Sequence, residues 1–324
     1  MSGYSRILLI HFGQMGDAVM ALPAALALQR HFPAAELTVL AARGSAPIFT
    51  MAGFAPVCTA DRVRWKRNPA AAAVEIPTLL WRLRRQRFEL SVDLHSYKET
   101  NLLAALAGIP QRVAMRRPTR SWPRLINVKP EPDDPLGVLR DRYCRVLEPL
   151  GIAVINRVPR LCAPAQARAR VKALFQDWSR TAGDAPILGL CPGAGHASRR
   201  WPAANFAALA TQMQSQHSAR IAVFAGPEES ENLLQAFRQL PNARIWRGLK
   251  LEELAAALAL CRVVVSNPTG PSHVAAAVGA SLLTLGELPM FDPVAIPPAK
   301  LVALRSLPDI GVEAASAALL ALWN

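Results

Sequence analysis

The chain has 324 residues, 52% of them hydrophobic, and 37 Lys+Arg against 23 Asp+Glu give a formal net charge of +14. That length and apolar content exclude a disordered or fibrous chain and suit two domains better than one. The positive excess places a polyanion, an anionic membrane surface or a phosphorylated substrate among the expected partners.

The charge is uneven: residues 1–160 hold 23 Lys+Arg against 12 Asp+Glu, which leaves 14 against 11 for residues 161–324. The five cysteines, Cys58, Cys144, Cys162, Cys191 and Cys261, are odd in number, far apart and free of any CxxC pair. They predict reduced thiols in a cytoplasmic protein and no structural zinc. The N-terminus lacks a signal-peptide layout, and no stretch reaches the roughly 18 uninterrupted apolar residues of a spanning helix. Contact with a membrane is therefore expected from its surface.

In chain order, RILLIHF is a short branched run bounded by glycine and predicts a buried strand. AVMALPAALALQRHFP has helical spacing and ends at proline, and ELTVLAA is the next strand. This strand, helix, strand unit implies a parallel sheet. FELSVDLH (88–95) repeats the strand pattern, and NLLAALAG follows as a short helix. Residues 110–160 are rich in Arg and Pro: RRPTRSWPR and KPEPDDP are expected as loops, and the helix LRDRYCRVLEPLG leads to a boundary near CAPAQAR. The alternation then resumes with strands in PILGLCPG, ARIAVFAGP, RVVVSNP and SLLTLG. Helices are expected in PAANFAALATQMQSQ, ENLLQAFRQL, LEELAAALALC and SHVAAAVGA. The expected organisation is an α/β chain with parallel sheets, in domains 1–163 and 164–324.

Ligands of open α/β sheets collect at the carboxyl ends of the strands, and three such ends carry candidate chemistry. The first is HFGQMGDAVMALP, where Asp17 stands in the first turn of a helix. The macrodipole favours a carboxylate there, so helix stabilisation and general-base chemistry both explain it. Gly16 before it allows close approach of a substrate. The second is CPGAGHASRRWP, where Gly193 and Gly195 expose amides and Arg199 and Arg200 add charge suited to a phosphate. It lacks Walker A spacing. The third is SNPTGPSHVAAAVG, where Thr269 is placed to cap a helix beginning near Pro271, turning the amides near Gly270 and Ser272 toward an anion. His273 in that first turn is explained by a structural hydrogen bond or by catalysis. Two anion-prone turns in one half suit a diphosphate.

Four segments, in order, resemble one family. RILLIHFGQMGDAVMALPAALALQRHFPAAELTVL, VDLHSYKETNLLAALAGIPQRVAM, LGLCPGAGHASRRWPAANFAALA and SNPTGPSHVAAAVGA are similar to the signatures of the heptosyltransferase-like glycosyltransferases of family 9, which build the inner core of bacterial lipopolysaccharide. The resemblance implies the GT-B architecture: two Rossmann-like domains facing an interdomain cleft, acceptor on the first and donor on the second. It also implies inverting, metal-independent transfer of a heptose-like sugar from a nucleotide diphosphate donor, ADP-heptose being the expected one, with no cofactor. Asp17 matches the family's base, with Gln14, Gly16, Arg112 and Arg116 on the acceptor side. Gly193, Ala194, Arg199, Thr269, Gly270, Pro271, Ser272 and His273 match the donor site, and Glu228 in AGPEES matches the acid at the ribose. The implied acceptor is an anionic glycolipid at the cytoplasmic face of the inner membrane, met by a peripheral monomer.

Two positions depart from the family pattern. Pro268 stands where the signature D-T-G-P has its acid, leaving Asn267 as a partial substitute, and Arg199 replaces a lysine with a planar fork. Pro268 motivates an alternative reading, a catalytically silent module that binds glycolipid or a partner. A third, nucleotide-sugar epimerisation, is opposed by the acceptor-side motif. The basic runs match no nucleic-acid-binding pattern, so no nucleic acid is expected. The segment 81–85, Trp-Arg-Leu-Arg-Arg, is instead read as an amphipathic element for a membrane surface.

Overall fold

The computed structural model describes residues 3–226, 229–286, 293–294, 296–304 and 309–324, with backbone alone at 181 and 182. The backbone divides into two compact units, Met1–Arg157 and Val158–Asn324. The division precedes the expected 163/164 boundary because residues 158–163 are tied to the second unit, where Leu161 N donates to the Ala277 carbonyl at 2.8 Å.

In the first unit, strands β1 (Arg6–His11), β2 (Glu36–Ala42), β3 (Val57–Ala60), β4 (Leu90–Asp93) and β5 (Gln111–Ala114) alternate with helices α1 (Met15–His31), α2 (Ala46–Met51), α3 (Arg62–Arg67), α4 (Pro69–Gln86) and α5 (Lys98–Leu106). Helix α6 (Leu139–Arg145) closes the unit. The sheet order is β3-β2-β1-β4-β5, with parallel ladders throughout. Five of the six β1 residues are buried, as a strand covered on both faces requires. Leu8, Ile10, Leu40, Leu83 and Phe88 form the core on one face.

The second unit begins with α7 (Ala165–Ala182) and continues through β6 (Ile187–Cys191), α8 (Ala203–His217), β7 (Arg220–Ala225), α9 (Glu231–Arg238) and β8 (Ala243–Arg247). It ends with α10 (Leu251–Leu258), β9 (Val263–Ser266), α11 (Gly270–Ala277), β10 (Ser281–Leu285), β11 (Leu301–Leu304) and α12 (Val312–Trp323). Its order is β11-β10-β9-β6-β7-β8, again parallel. Each sheet has a point at which the strand order reverses, between β1 and β4 in the first and between β6 and β9 in the second. Helices on such sheets leave a crevice at the carboxyl ends of those two strands.

The anchor of the second core is Trp201, wholly buried against Phe206 with ring centroids 5.0 Å apart. Its indole N–H donates to the Ile310 carbonyl at 2.8 Å, and its backbone N–H donates to Asn267 Oδ1 at 2.9 Å. Replacing Trp201 with Ala empties this site and orphans a carbonyl; a loss of about 3–5 kcal/mol is expected, read from urea denaturation followed by far-UV circular dichroism.

Candidate active site

Asp17 lies just beyond β1, at the reversal point of the first sheet. Gln14 is extended (φ −72°, ψ 178°), α1 begins at Met15, and Asp17 is the third helical residue. Gln14 N donates to Asp17 Oδ2 at 3.0 Å, closing the first turn. Gly16 is buried inside the helix, and Gln14 is exposed. The close approach occurs at Gly13: a Cβ there would stand 2.6 Å from Asp17 Cβ, 2.8 Å from Asp17 Oδ2 and 2.7 Å from His11 Cε1. The missing side chain lets the carboxylate fold back over the end of β1.

Burial raises the Asp17 carboxyl above the ordinary carboxylate range, while the Gln14 amide and the Arg117 guanidinium pull it back down. Arg117 follows β5, donates through Nη1 to the His95 carbonyl at 2.9 Å, and stands 3.9 Å from Asp133. Asp133 is in turn held by Arg142, whose Nε donates to it at 2.8 Å. The expected acceptor-side arginines are tied elsewhere. Arg112 donates to the carbonyls of Leu125 (2.8 Å) and Ile109 (2.6 Å), and Arg116 donates to the Pro130 carbonyl at 3.2 Å. Both brace the loop after β5, so Arg117, one residue beyond the expected pair, is the cation coupled to Asp17. In the sequence it was one arginine of a run with nothing to single it out.

In the second unit, the turn after β6 and the turn after β9 are adjacent, since Cys191 pairs with Ser266 across the ladder. This brings Gly193, Ala194, Thr269, Gly270, Pro271, Ser272 and His273 to one edge of one sheet. Thr269 occupies the N-cap of α11, but its hydroxyl donates to the Asn267 carbonyl at 3.3 Å, while Ser272 Oγ accepts from Thr269 N at 3.3 Å. Arg200 Nε and Nη2 donate to the Ala194 carbonyl at 2.9 and 2.7 Å. Arg199 is exposed and has no ion-pair partner among the described residues. One arginine of the pair builds the loop and the other remains available to an anion.

Asn267 does not stand in for the family's acid. Its side chain is fully buried, with Nδ2 donating to the Pro192 carbonyl at 2.7 Å and Oδ1 accepting from Trp201 N. Glu228 lies outside the described residues. Its neighbour Glu229 is the acid seated on the glycine turn: a Cβ on Gly193 would fall 1.8 Å from Glu229 Oε1, and Glu229 Oε2 is buried without a hydrogen-bond partner. The two adjacent acids of AGPEES gave the sequence no means of choosing between them. Among the described residues no cluster of three or more His, Cys, Asp or Glu is arranged to hold a metal ion.

The family model for glycosyltransferase family 9 (heptosyltransferase) matches residues 77–290. The chain belongs to glycosyltransferase family 9. As a member it is an enzyme of the transferase class, with the GT-B fold of two Rossmann-like units. It is similar to lipopolysaccharide heptosyltransferase 2 of Escherichia coli K12, with 24% identity over 86% of this chain and 82% of that one. Among solved structures it is similar to a family 9 glycosyl transferase from Veillonella parvula, with TM-score 0.83 and 20% identity, covering 99% of this chain and 97% of the other. The E. coli ADP-heptose lps heptosyltransferase II superposes with TM-score 0.80 and 23% identity, over 98% of both chains.

His273 is buried in the first turn of α11, and desolvation lowers its pKa from 6.5 to about 4. A depressed folded-state value means the neutral form is favoured by folding. The stability it contributes is full above pH 6.5 and is lost as the pH falls toward 4. His273→Gln cannot charge, so its urea midpoint is expected to fall less steeply than that of the native protein over this window.

Proposed function

We propose that the protein transfers a heptose-like sugar from ADP-heptose to an inner-core lipopolysaccharide acceptor, with inversion and without a metal ion, and that Asp17 is the general base. The observation that carries this reading is Asp17 at the reversal point of its sheet, folded against Gly13, with the Gln14 amide and Arg117 favouring its ionised form against burial. The names of the similar proteins support the sugar and the acceptor class. In the reaction, Asp17 takes the proton of an acceptor hydroxyl as its oxygen bonds to the anomeric carbon. The bond from that carbon to the diphosphate breaks, and its electron pair leaves with the nucleoside diphosphate. The turn at Gly193 and Ala194, the N-terminus of α11 and the Arg199 guanidinium supply positive potential for that leaving group. Glu229, beside the glycine turn, is suited to the ribose hydroxyls.

Asp17→Asn is expected to lower turnover by at least about 100-fold, the usual range for a lost general base. ADP affinity, measured by calorimetric titration, is expected to stay unchanged because the donor groups lie in the other unit. Pro268 favours the second reading: it is buried, carries no polar group, and its neighbour Asn267 is committed to the loop. Under that reading the native protein binds neither ADP nor ADP-heptose and shows no turnover with any sugar donor.

We also propose peripheral association with an anionic membrane at its cytoplasmic face, the protein acting as a monomer. Among the described residues no helix is long and apolar enough to cross a membrane. On α4, Val74 (68% exposed) and Trp81 (56% exposed) share a face with Ala70 and Pro77, and Arg85 lies over the Trp81 ring at 4.8 Å. Arg82 and Arg87 are exposed beside it. Native protein is expected to sediment with phosphatidylglycerol vesicles and not with phosphatidylcholine vesicles. Arg82→Ser is expected to weaken binding about fivefold, the effect of removing about 1 kcal/mol, and Trp81→Ser is expected to weaken it further.

A further inference from the structure

Beneath Asp17 lies a set of buried polar rings that the proposed transfer does not use. His11 ends β1, His95 and Tyr97 follow β4, and Tyr143 comes from α6; His11, His95 and Tyr143 are all buried. Tyr143 Oη is 3.4 Å from His11 Nε2 and 3.0 Å from His95 Nδ1, and His95 Nε2 is 3.0 Å from Tyr97 Oη. At the far end the Arg62 guanidinium stacks over the Tyr97 ring at 3.7 Å. The loop that carries His95 and Tyr97 is fixed by Asp93, which accepts from Ser96 N at 2.7 Å and from Asn101 Nδ2 at 3.2 Å. At the near end, His11 Nδ1 is buried without a hydrogen-bond partner. His11 Cε1 and Asp17 Oδ2 both border the space left by the side chain that Gly13 lacks, at 2.7 and 2.8 Å from where its Cβ would stand.

A neutral imidazole has one N–H and a phenol has one O–H, so a chain in which Tyr143 both accepts and donates can run in only two directions. Burial keeps His11 and His95 neutral, holding His11 down to about 3, and keeps Tyr143 protonated. The charged groups at the far end are Arg62, stacked on the Tyr97 ring, and Glu99, which accepts from Arg62 at 3.0 Å; of the two it is the guanidinium that lies on the ring and biases the direction. A cation over the Tyr97 ring withdraws electron density and makes its hydroxyl the stronger donor. Tyr97 then donates to His95 Nε2, the His95 proton sits on Nδ1 and is donated to Tyr143, and Tyr143 donates to His11 Nε2. The remaining hydrogen of His11 is on Nδ1.

We propose that His11 and Tyr143 are positioning residues for Asp17: the chain from Arg62 through Tyr97, His95 and Tyr143 fixes His11 as its Nδ1–H tautomer, and the positive end of that ring's dipole favours the ionised carboxylate. The inference rests on Asp17 as the base. The other groups facing this site are Arg117 beyond β5, which also favours the ionised form, and Arg120, which acts on Arg117 and His95. Asp93 and the Asp133–Arg142 pair hold the surrounding loops.

Nitrogen-15 NMR of histidine-labelled native protein reads the tautomer directly, and the Nδ1–H form of His11 is expected. An Nε2–H form overturns the proposal, and this measurement needs no variant to fold. Tyr143→Phe keeps the ring and breaks the chain. The acid limb of its kcat/KM profile is expected to move up by about half a pH unit, the size of a charge–dipole interaction without a direct hydrogen bond, with ADP affinity unchanged. Tyr97→Phe is expected to move it in the same direction. An unmoved limb in Tyr143→Phe, alongside loss of transfer in Asp17→Asn, overturns the proposal while leaving the base in place. Full transfer in Asp17→Asn removes the base itself, and the tautomer measurement still decides the direction of the chain.

Discussion

A parallel ladder cannot be closed by a tight turn, so from β1 to β10 each strand of this protein is joined to the next through at least one helix. All carboxyl ends therefore meet at one edge of each sheet. Where the strand order reverses, successive crossovers leave that edge in opposite directions and a crevice opens between them. Asp17 beyond β1, and the glycine turn beyond β6 beside the start of α11, stand at these reversals because the topology offers no comparable opening elsewhere on the sheets. The same constraint makes the two units chemically different despite their common design. The first places a carboxylate at its reversal point, and the second places backbone amides and a cation.

A carboxylate at such an edge is partly withdrawn from water by the elements around it, and what surrounds it decides how readily it ionises. Burial works against ionisation at Asp17, and the Gln14 amide and Arg117 oppose it. Gly13 belongs to this balance: a side chain there would collide with both Asp17 and His11, so their present arrangement requires its absence. The neutral rings below are costly, since an unpaired polar atom in the interior forfeits its hydration. Arginines are plentiful in this unit, yet Arg112 and Arg116 are tied to loop carbonyls, and Arg117, which also holds the His95 carbonyl, is the one coupled to Asp17.

The resemblance to family 9 was legible because its motifs sit in turns whose residues the backbone dictates, and the parallel α/β design was legible in the continuous apolar runs. The seven strands read from the sequence, β1, β2, β4, β6, β7, β9 and β10, each have a neighbour on both sides. The unread β3, β5, β8 and β11 are the sheet edges. Sequences such as ARIWR are only partly buried and lack the apolar continuity that marks an interior strand. Helix α3 was unread, and α4 was read only as the amphipathic segment 81–85, for a related reason: α4 buries only Leu79 and Leu83, so no wide apolar stripe announces it. At the site, Asp17 and the two anion-prone turns followed from local pattern. Arg117, Glu229, His11 and Tyr143 depend on which of several equivalent side chains the fold turns inward, and spacing along the chain does not encode that choice.

The donor edge shows how a departure from the family pattern is absorbed. Pro268 removes a carboxylate and a backbone donor from the start of the turn after β9, which would loosen a turn held by that residue. Here the turn is held instead by Asn267, which bridges Pro192 and Trp201 and so joins the β9 end, the β6 end and the second core in one residue. Arg200 secures the other side of the glycine turn at Ala194. With both sides fixed independently of position 268, the two turns keep their shape without any contribution from that residue's side chain. The substitution therefore changes the polar surface beside the turn more than the turn itself.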